Sequence, residues 1–176
     1  MSAIVRPVRK DPPLRKVPDG FVVLIDTREQ SPLFVGRRIV SAEHKVVRGI
    51  PFEGATLHDG DYTVRDMEHI IAIERKMLSD FDAYIGKERN TKTIYKLERL
   101  RDMKWAALVV ESDESELYGK RKYGKMTGAH ARGFLCKAEL EFGIHTYINA
   151  NRAALEQYVL DRLLYAWKKW GKRCPT

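Results

Sequence analysis

Two apolar runs, Phe21–Ile25 and Trp105–Val110, narrow the folds open to this chain more than any other feature. Neither run is interrupted by a polar residue, and both are too short for a typical helix. That pattern suits strands buried on both faces of a sheet. An acid follows each run at once, Asp26 after the first and Glu111 after the second. A sheet buried on both faces is covered by helices, and open sheets of that kind place their sites where strands end. Ahead of the second run, Lys92–Met103 carries Ile94, Leu97 and Leu100 at helical spacing, with Lys96, Arg99 and Arg101 on other faces. Strand, helix, strand in that order predicts a right-handed parallel crossover.

The stretch from Gly60 to Lys76 predicts the other pairing. Thr63 and Val64 favour a strand, as do Ile70, Ile71 and Ile73, while the polar segment between them favours a turn near Met67-Glu68. A symmetric hairpin there pairs residues whose numbers sum to 135, which sets Asp61 opposite Glu74. Opposed residues share a face, with Cβ atoms about 5 Å apart, and alternation adds Lys76 to that face. Two adjacent carboxylates repel unless a cation lies between them. Mg²⁺ or Mn²⁺ suits such hard oxygen ligands, and a nearby ammonium could orient or deprotonate a water. The pattern points to metal-assisted phosphodiester hydrolysis, while a surface hairpin with ordinary charges would carry the same residues.

The net charge of +8 points to a polyanionic partner, of which nucleic acid is the commonest. A hydrophobic fraction of 44% indicates a globular chain. No apolar run approaches the length of a membrane span, and Met1–Pro7 lacks the apolar core of a signal peptide. Cys136 and Cys174 form neither a zinc spacing nor a disulfide framework, so an intracellular, reducing setting is expected, cytoplasmic if the source is bacterial or phage. Cys136 falls on a helix face and is expected in the core.

Residues 1–18 are expected to form a basic, proline-containing arm, 19–171 one domain, and 172–176 a tail. Arg37 to Gly54 reads equally as strand or short helix. Ser79 is expected to cap a helix, with Asp82 as the acid of a capping box, which puts Asp80 close to the hairpin acids. Ser112 to Gly128 reads as a polar loop. Its second half interleaves Tyr118 and Tyr123 with Lys120, Arg121, Lys122 and Lys125, a composition suited to phosphate contacts and base stacking. Thr127 and Asn151 are expected to cap two further helices, with Ile144–Ile148 as a strand between them and Gly143 and Gly171 as stops. The terminal Lys168-Lys169-Trp170 is basic and aromatic.

Gly60-Asp61, twelve residues, Glu74-Arg75-Lys76, three residues, then Asp80 resembles the GD…ERK…D signature of XPF/ERCC4-type structure-specific endonucleases. Asp26-Thr27-Arg28-Glu29 resembles the D-x-R-E segment on that family's first strand. The resemblance covers roughly residues 20–165. It implies an α/β fold with a restriction-endonuclease-like mixed central sheet flanked by helices. It also implies Mg²⁺- or Mn²⁺-dependent cleavage of DNA near branches, forks or flaps, without sequence preference, in repair or recombination. By resemblance, Asp61, Glu74 and the carbonyl of Arg75 are metal ligands, and Asp26 is a further acid acting through a water. Lys76 positions the attacking water, Arg75 supports the scissile phosphate, and Asp80 is the last acid. Arg28 contacts phosphate or anchors the acids. Arg89, in Gly86-Lys87-Glu88-Arg89-Asn90, is the nearest match to a family Gly-Arg-Leu element whose following glutamine is not evident here. A tandem helix-hairpin-helix module, common in eukaryotic and archaeal members, is not expected within this chain. Gripping both arms of a branch calls for a homodimer, with Tyr158, Tyr165 and Trp167 on the last helix as candidate contacts. A catalytically silent DNA-binding subunit, or a junction resolvase or exonuclease on the same core, is the alternative reading.

Overall fold

In the computed structural model, residues 17–34, 39–40, 46–47, 50–86, 91–120 and 126–171 are described. The expected positions Arg89, Arg121, Lys122, Tyr123, Lys125 and Cys174, and most of the N-terminal arm, lie outside them.

The first apolar run forms β1 (Val23–Asp26), buried throughout. Two short strands, β2 (Ile39–Val40) and β3 (Val46–Val47), pair antiparallel with each other. They are followed by β4 (Phe52–Ala55), β5 (Tyr62–Val64) and β6 (Ile71–Met77). Helices α1 (Leu78–Gly86) and α2 (Thr91–Arg101) lead to β7 (Trp105–Glu111). The chain continues through α3 (Glu114–Tyr118), α4 (Gly128–Leu140), β8 (His145–Ile148) and α5 (Arg152–Trp170). Six strands form one mixed sheet in the order β4-β1-β5-β6-β7-β8. β1 is antiparallel to β5 and β5 to β6, whereas β6, β7 and β8 run parallel, as the crossover pattern predicts. The fold is the expected mixed sheet flanked by helices.

Alternation along the strands divides the core. Ile71 and Ile73 of β6, with Ala107 and Val109 of β7, face α5, whose Leu155, Val159 and Leu163 are buried against them. Ala72, Ala106, Leu108 and Val110 face the opposite way, onto α1, α2 and α4. The stripe expected on α2 is the one that packs, although Ile94 is only partly buried.

Several local expectations need correction. β6 passes directly into α1 at Leu78, so Ser79 lies inside the first turn and does not step out to cap it. The acidic start of the 112–128 loop folds into α3, because Asp113 caps it by accepting from the Ser115 N–H at 2.8 Å. Phe52–Ala55, which overlaps the end of the ambiguous stretch, takes the strand reading and pairs parallel to β1 as an edge strand. Cys136 is exposed on α4. Thr127 and Asn151 do cap α4 and α5.

Candidate active site

Gly60 brings the chain into the site. Its φ of +75° is one that L side chains rarely adopt, and a Cβ there would lie 2.9 Å from the Ala72 Cβ. The following Asp61 N–H donates to the Ile73 carbonyl at 2.8 Å. Tyr62 pairs with Ile73, so Asp61 stands opposite Glu74 as the hairpin register predicts.

Glu74 is wholly buried. The Lys76 ammonium lies 2.5 Å from Glu74 Oε1, 3.7 Å from Asp61 Oδ2, and donates to the Arg75 carbonyl at 3.0 Å. Lys96 reaches over from α2, donating to Glu74 Oε1 at 2.7 Å with its ammonium 2.6 Å from Oε2. Oε2 itself accepts no aligned hydrogen bond. Burial alone would push Glu74 up, but the two ammoniums outweigh it and hold the carboxyl below its ordinary value. Asp61 has weaker support: burial, then the charge of Glu74, pushes it up to about 6. Burial opposes the charge on Lys76, but Glu74 and Asp61 prevail and keep it an ammonium.

Arg75 departs from the expected role. As the residue between Glu74 and Lys76 it points through the sheet to the α5 side. There its guanidinium ion-pairs with Glu111, and donates to Glu29 at 3.2 Å and to the Ser31 carbonyl at 3.0 Å. Its side chain is 2% exposed, so the guanidinium is a buried framework group, although Arg75, Glu29 and Ser31 also border the cleft at this end of the sheet. Its main chain does belong to the site, since the Arg75 N–H donates to Asp61 Oδ2 at 2.6 Å. Arg152, at the start of α5, reinforces this knot through Glu111 and the Ser31 carbonyl.

Asp26 also departs from expectation. Its Oδ1 accepts from the Arg28 N–H at 2.7 Å and Nε at 2.9 Å, and its Oδ2 from Arg28 Nη2 at 2.6 Å and the Leu57 N–H at 3.2 Å. Those bonds, the Arg28 side chain foremost, hold its carboxyl below the ordinary range. Asp26 is the strand neighbour of Asp61, its N–H donating to the Asp61 carbonyl at 2.9 Å, but it is not grouped with Asp61 and Glu74 as a direct metal ligand. Arg28 is its anchor, yet remains 69% exposed and able to meet a ligand.

A cleft of about 610 Å³ opens over this end of the sheet, lined by Arg28, Asp61, Lys76, Asp80, Lys96 and Arg99 among others. Asp80 therefore shares the cleft, from the first turn of α1. Lys120 does not line it: it is exposed and bridges to Thr127.

Among the described residues, no three His, Cys, Asp or Glu side chains are grouped to hold a metal ion. Asp61, Glu74 and the Arg75 carbonyl nevertheless converge on one point, and the Lys76 ammonium marks it. Two carboxylates and a main-chain carbonyl around one point form an oxygen set that fits a hard divalent cation.

Sequence reasoning missed the site positions of Lys96 and Arg99, and gave Glu29 and Glu111 no role. Lys96 and Arg99 are three apart and so share a face of α2; Arg99 Nε donates to Asp59 at 2.6 Å. The available signal was charge balance, since a buried motif acid needs more than one counter-charge.

The family model described as the ERCC4 domain matches residues 25–160. Among solved structures, XPF from Aeropyrum pernix in complex with DNA superposes with a TM-score of 0.61 at 20% identity, covering 85% of this chain and 66% of that one. XPF from Aeropyrum pernix alone gives 0.62 at 20% identity, covering 88% and 65%. The chain thus spans just under two thirds of those chains. No curated protein matches the sequence.

Proposed function

The chain belongs to the ERCC4 domain family, and from that membership and its site we infer that it hydrolyses DNA phosphodiester bonds near branches, forks or flaps. One observation carries the reading. Asp61 and Lys76 meet the buried Glu74 on one face of the β5–β6 hairpin, and Asp61 and Lys76 line a cleft that Arg28, Lys96 and Arg99 also line. The family is a structure-specific DNA nuclease family, generally dependent on divalent metal. Mg²⁺ or Mn²⁺, held by Asp61, Glu74 and the Arg75 carbonyl, would supply Lewis-acid charge and a nucleophile at neutral pH.

This chain's own residues would do the rest. Lys76, kept charged by Glu74 and Asp61, would orient a water and offset negative charge building on the phosphate. Lys96 would keep Glu74 ionised while Lys76 is engaged. Arg28 and Arg99 would hold the DNA backbone, which positions without specifying sequence. Selectivity then comes from shape: a bent junction presents one phosphate to the cleft more readily than straight duplex does. A homodimer would let two copies grip both arms, and sedimentation with and without forked DNA tests that assembly. The decisive experiment offers fork, flap, four-way junction and blunt duplex at equal concentration with Mg²⁺. Preference for the junctions is expected; equal rates on all four, or a fixed recognition sequence, would overturn the reading.

A further inference from the structure

A second groove, of about 880 Å³, lies at the other end of the same strands. Ile71 and Trp105, the first residues of β6 and β7, line it, together with Lys104 and the last turns of α5. Six strand steps separate Ile71 from Met77, or about 20 Å, so the groove and the cleft occupy opposite ends of the sheet. Its lining is unusual for a surface that only solvates the molecule. Tyr165 is 63% exposed. The Lys169 ammonium lies 5.8 Å from the Tyr165 ring centroid and 5.7 Å from that of Trp170. Lys104, Arg162, Lys168 and Lys169 face a single acid among the described lining residues, Asp161, which accepts from Gln157 at 2.8 Å. Core packing accounts for the inner faces of Trp105 and Trp170, which rest on the apolar cluster beneath α5. It does not account for an exposed tyrosine and a run of cations beside them.

We propose that this groove binds single-stranded DNA, stacking bases on Tyr165 and Trp170 and holding phosphates against Lys104, Lys168 and Lys169. Aromatic faces interleaved with cations are what an unpaired strand needs, because every base has a face to stack and every linkage a charge to neutralise. Paired duplex bases offer no such faces. The separation of about 20 Å matches roughly six stacked nucleotides. An unpaired strand leaving a junction in the cleft could therefore run to the groove on the same molecule.

The test uses the full chain in excess chelator, so that nothing is cut, with a fluorescein-labelled oligothymidylate followed by anisotropy. Tyr165→Ala should weaken binding about tenfold, the size of one base stack. The double variant Lys168→Glu/Lys169→Glu should lower the slope of log K against log salt by about 0.7 for each phosphate no longer neutralised. All three side chains lie on the last turns of α5, and circular dichroism melts check that the fold is intact. Unchanged affinity and slope in both variants would overturn the proposal. So would variants that bind normally but sediment as a smaller species, since the groove would then join copies of the chain. The probe contains no junction, so this outcome is independent of whether forks are cleaved.

Discussion

Replacing Asp61 with Asn should make the metal-free protein more stable while abolishing cleavage. Asp61 is pushed from 3.8 up to about 6 by burial and by Glu74. The folded chain thus holds that proton more tightly than the unfolded chain does. Stability is lost as pH rises from about 4 to about 6, and the loss persists above that. A shift of about two units at about 1.4 kcal/mol each sets an upper bound near 3 kcal/mol. Asn removes the charge but keeps a carbonyl oxygen to accept from the Arg75 N–H. Urea melts in chelator at pH 7.5 should show Asp61→Asn more stable by about 1–3 kcal/mol, and the two proteins converging near pH 4. For a chain of this length each kcal/mol moves Tm by about 2–4 °C. Equal or lower stability of the variant at pH 7.5 would refute the reasoning, because Asp61 would then carry no cost of burial beside Glu74.

Arg75→Ala should act through the framework, costing about 3 kcal/mol by leaving Glu29 without its buried partner and Glu111 with Arg152 alone; a normal melt with abolished cleavage would restore the phosphate role. Lys76→Ala should slow cleavage by about 100-fold or more with the fold retained, as read by single-turnover assays on a flap. Excess EDTA should abolish cleavage, and undiminished activity there would rule out the metal reading. Replacing Lys120, Arg121, Lys122 and Lys125 by Ala should flatten the duplex salt dependence by about 0.9 for each phosphate left unneutralised; an unaltered slope means solvated charge.

The hairpin was legible because its face and register follow from strand alternation around a polar turn, and Tyr62 pairs with Ile73 as that rule requires. The doubly buried strands were legible for the same reason, their apolar runs being too short for helices. Local reading failed where a distant group intervened. Nothing near Asp26 in sequence reveals that Leu57 takes its second oxygen, and nothing near Glu74 reveals that α2 brings Lys96 to it. Arg75 was misread for another reason: alternation already sends it to the opposite face from its neighbours, but the motif's familiarity as a unit obscured that. Helix α3 was hidden by composition, since an acid-rich segment resembles a loop until one acid is seen to cap it.

Alternation across β6 also sets how this segment can vary. Glu74 and Lys76 share one face of β6, while the Arg75 side chain between them faces the Glu111 and Glu29 pairings. On the proposed reading, neighbouring codons answer to different selections: the outer two to turnover, the middle one to yield of folded protein. A saturation library scored separately for abundance and for cleavage should divide at single-residue resolution here. Variants at 76 would persist as inert protein, whereas variants at 75, and those at 74 that strand Lys96, would be depleted from the cell. A lineage that gave up catalysis could shed Lys76 and would still retain the arginine.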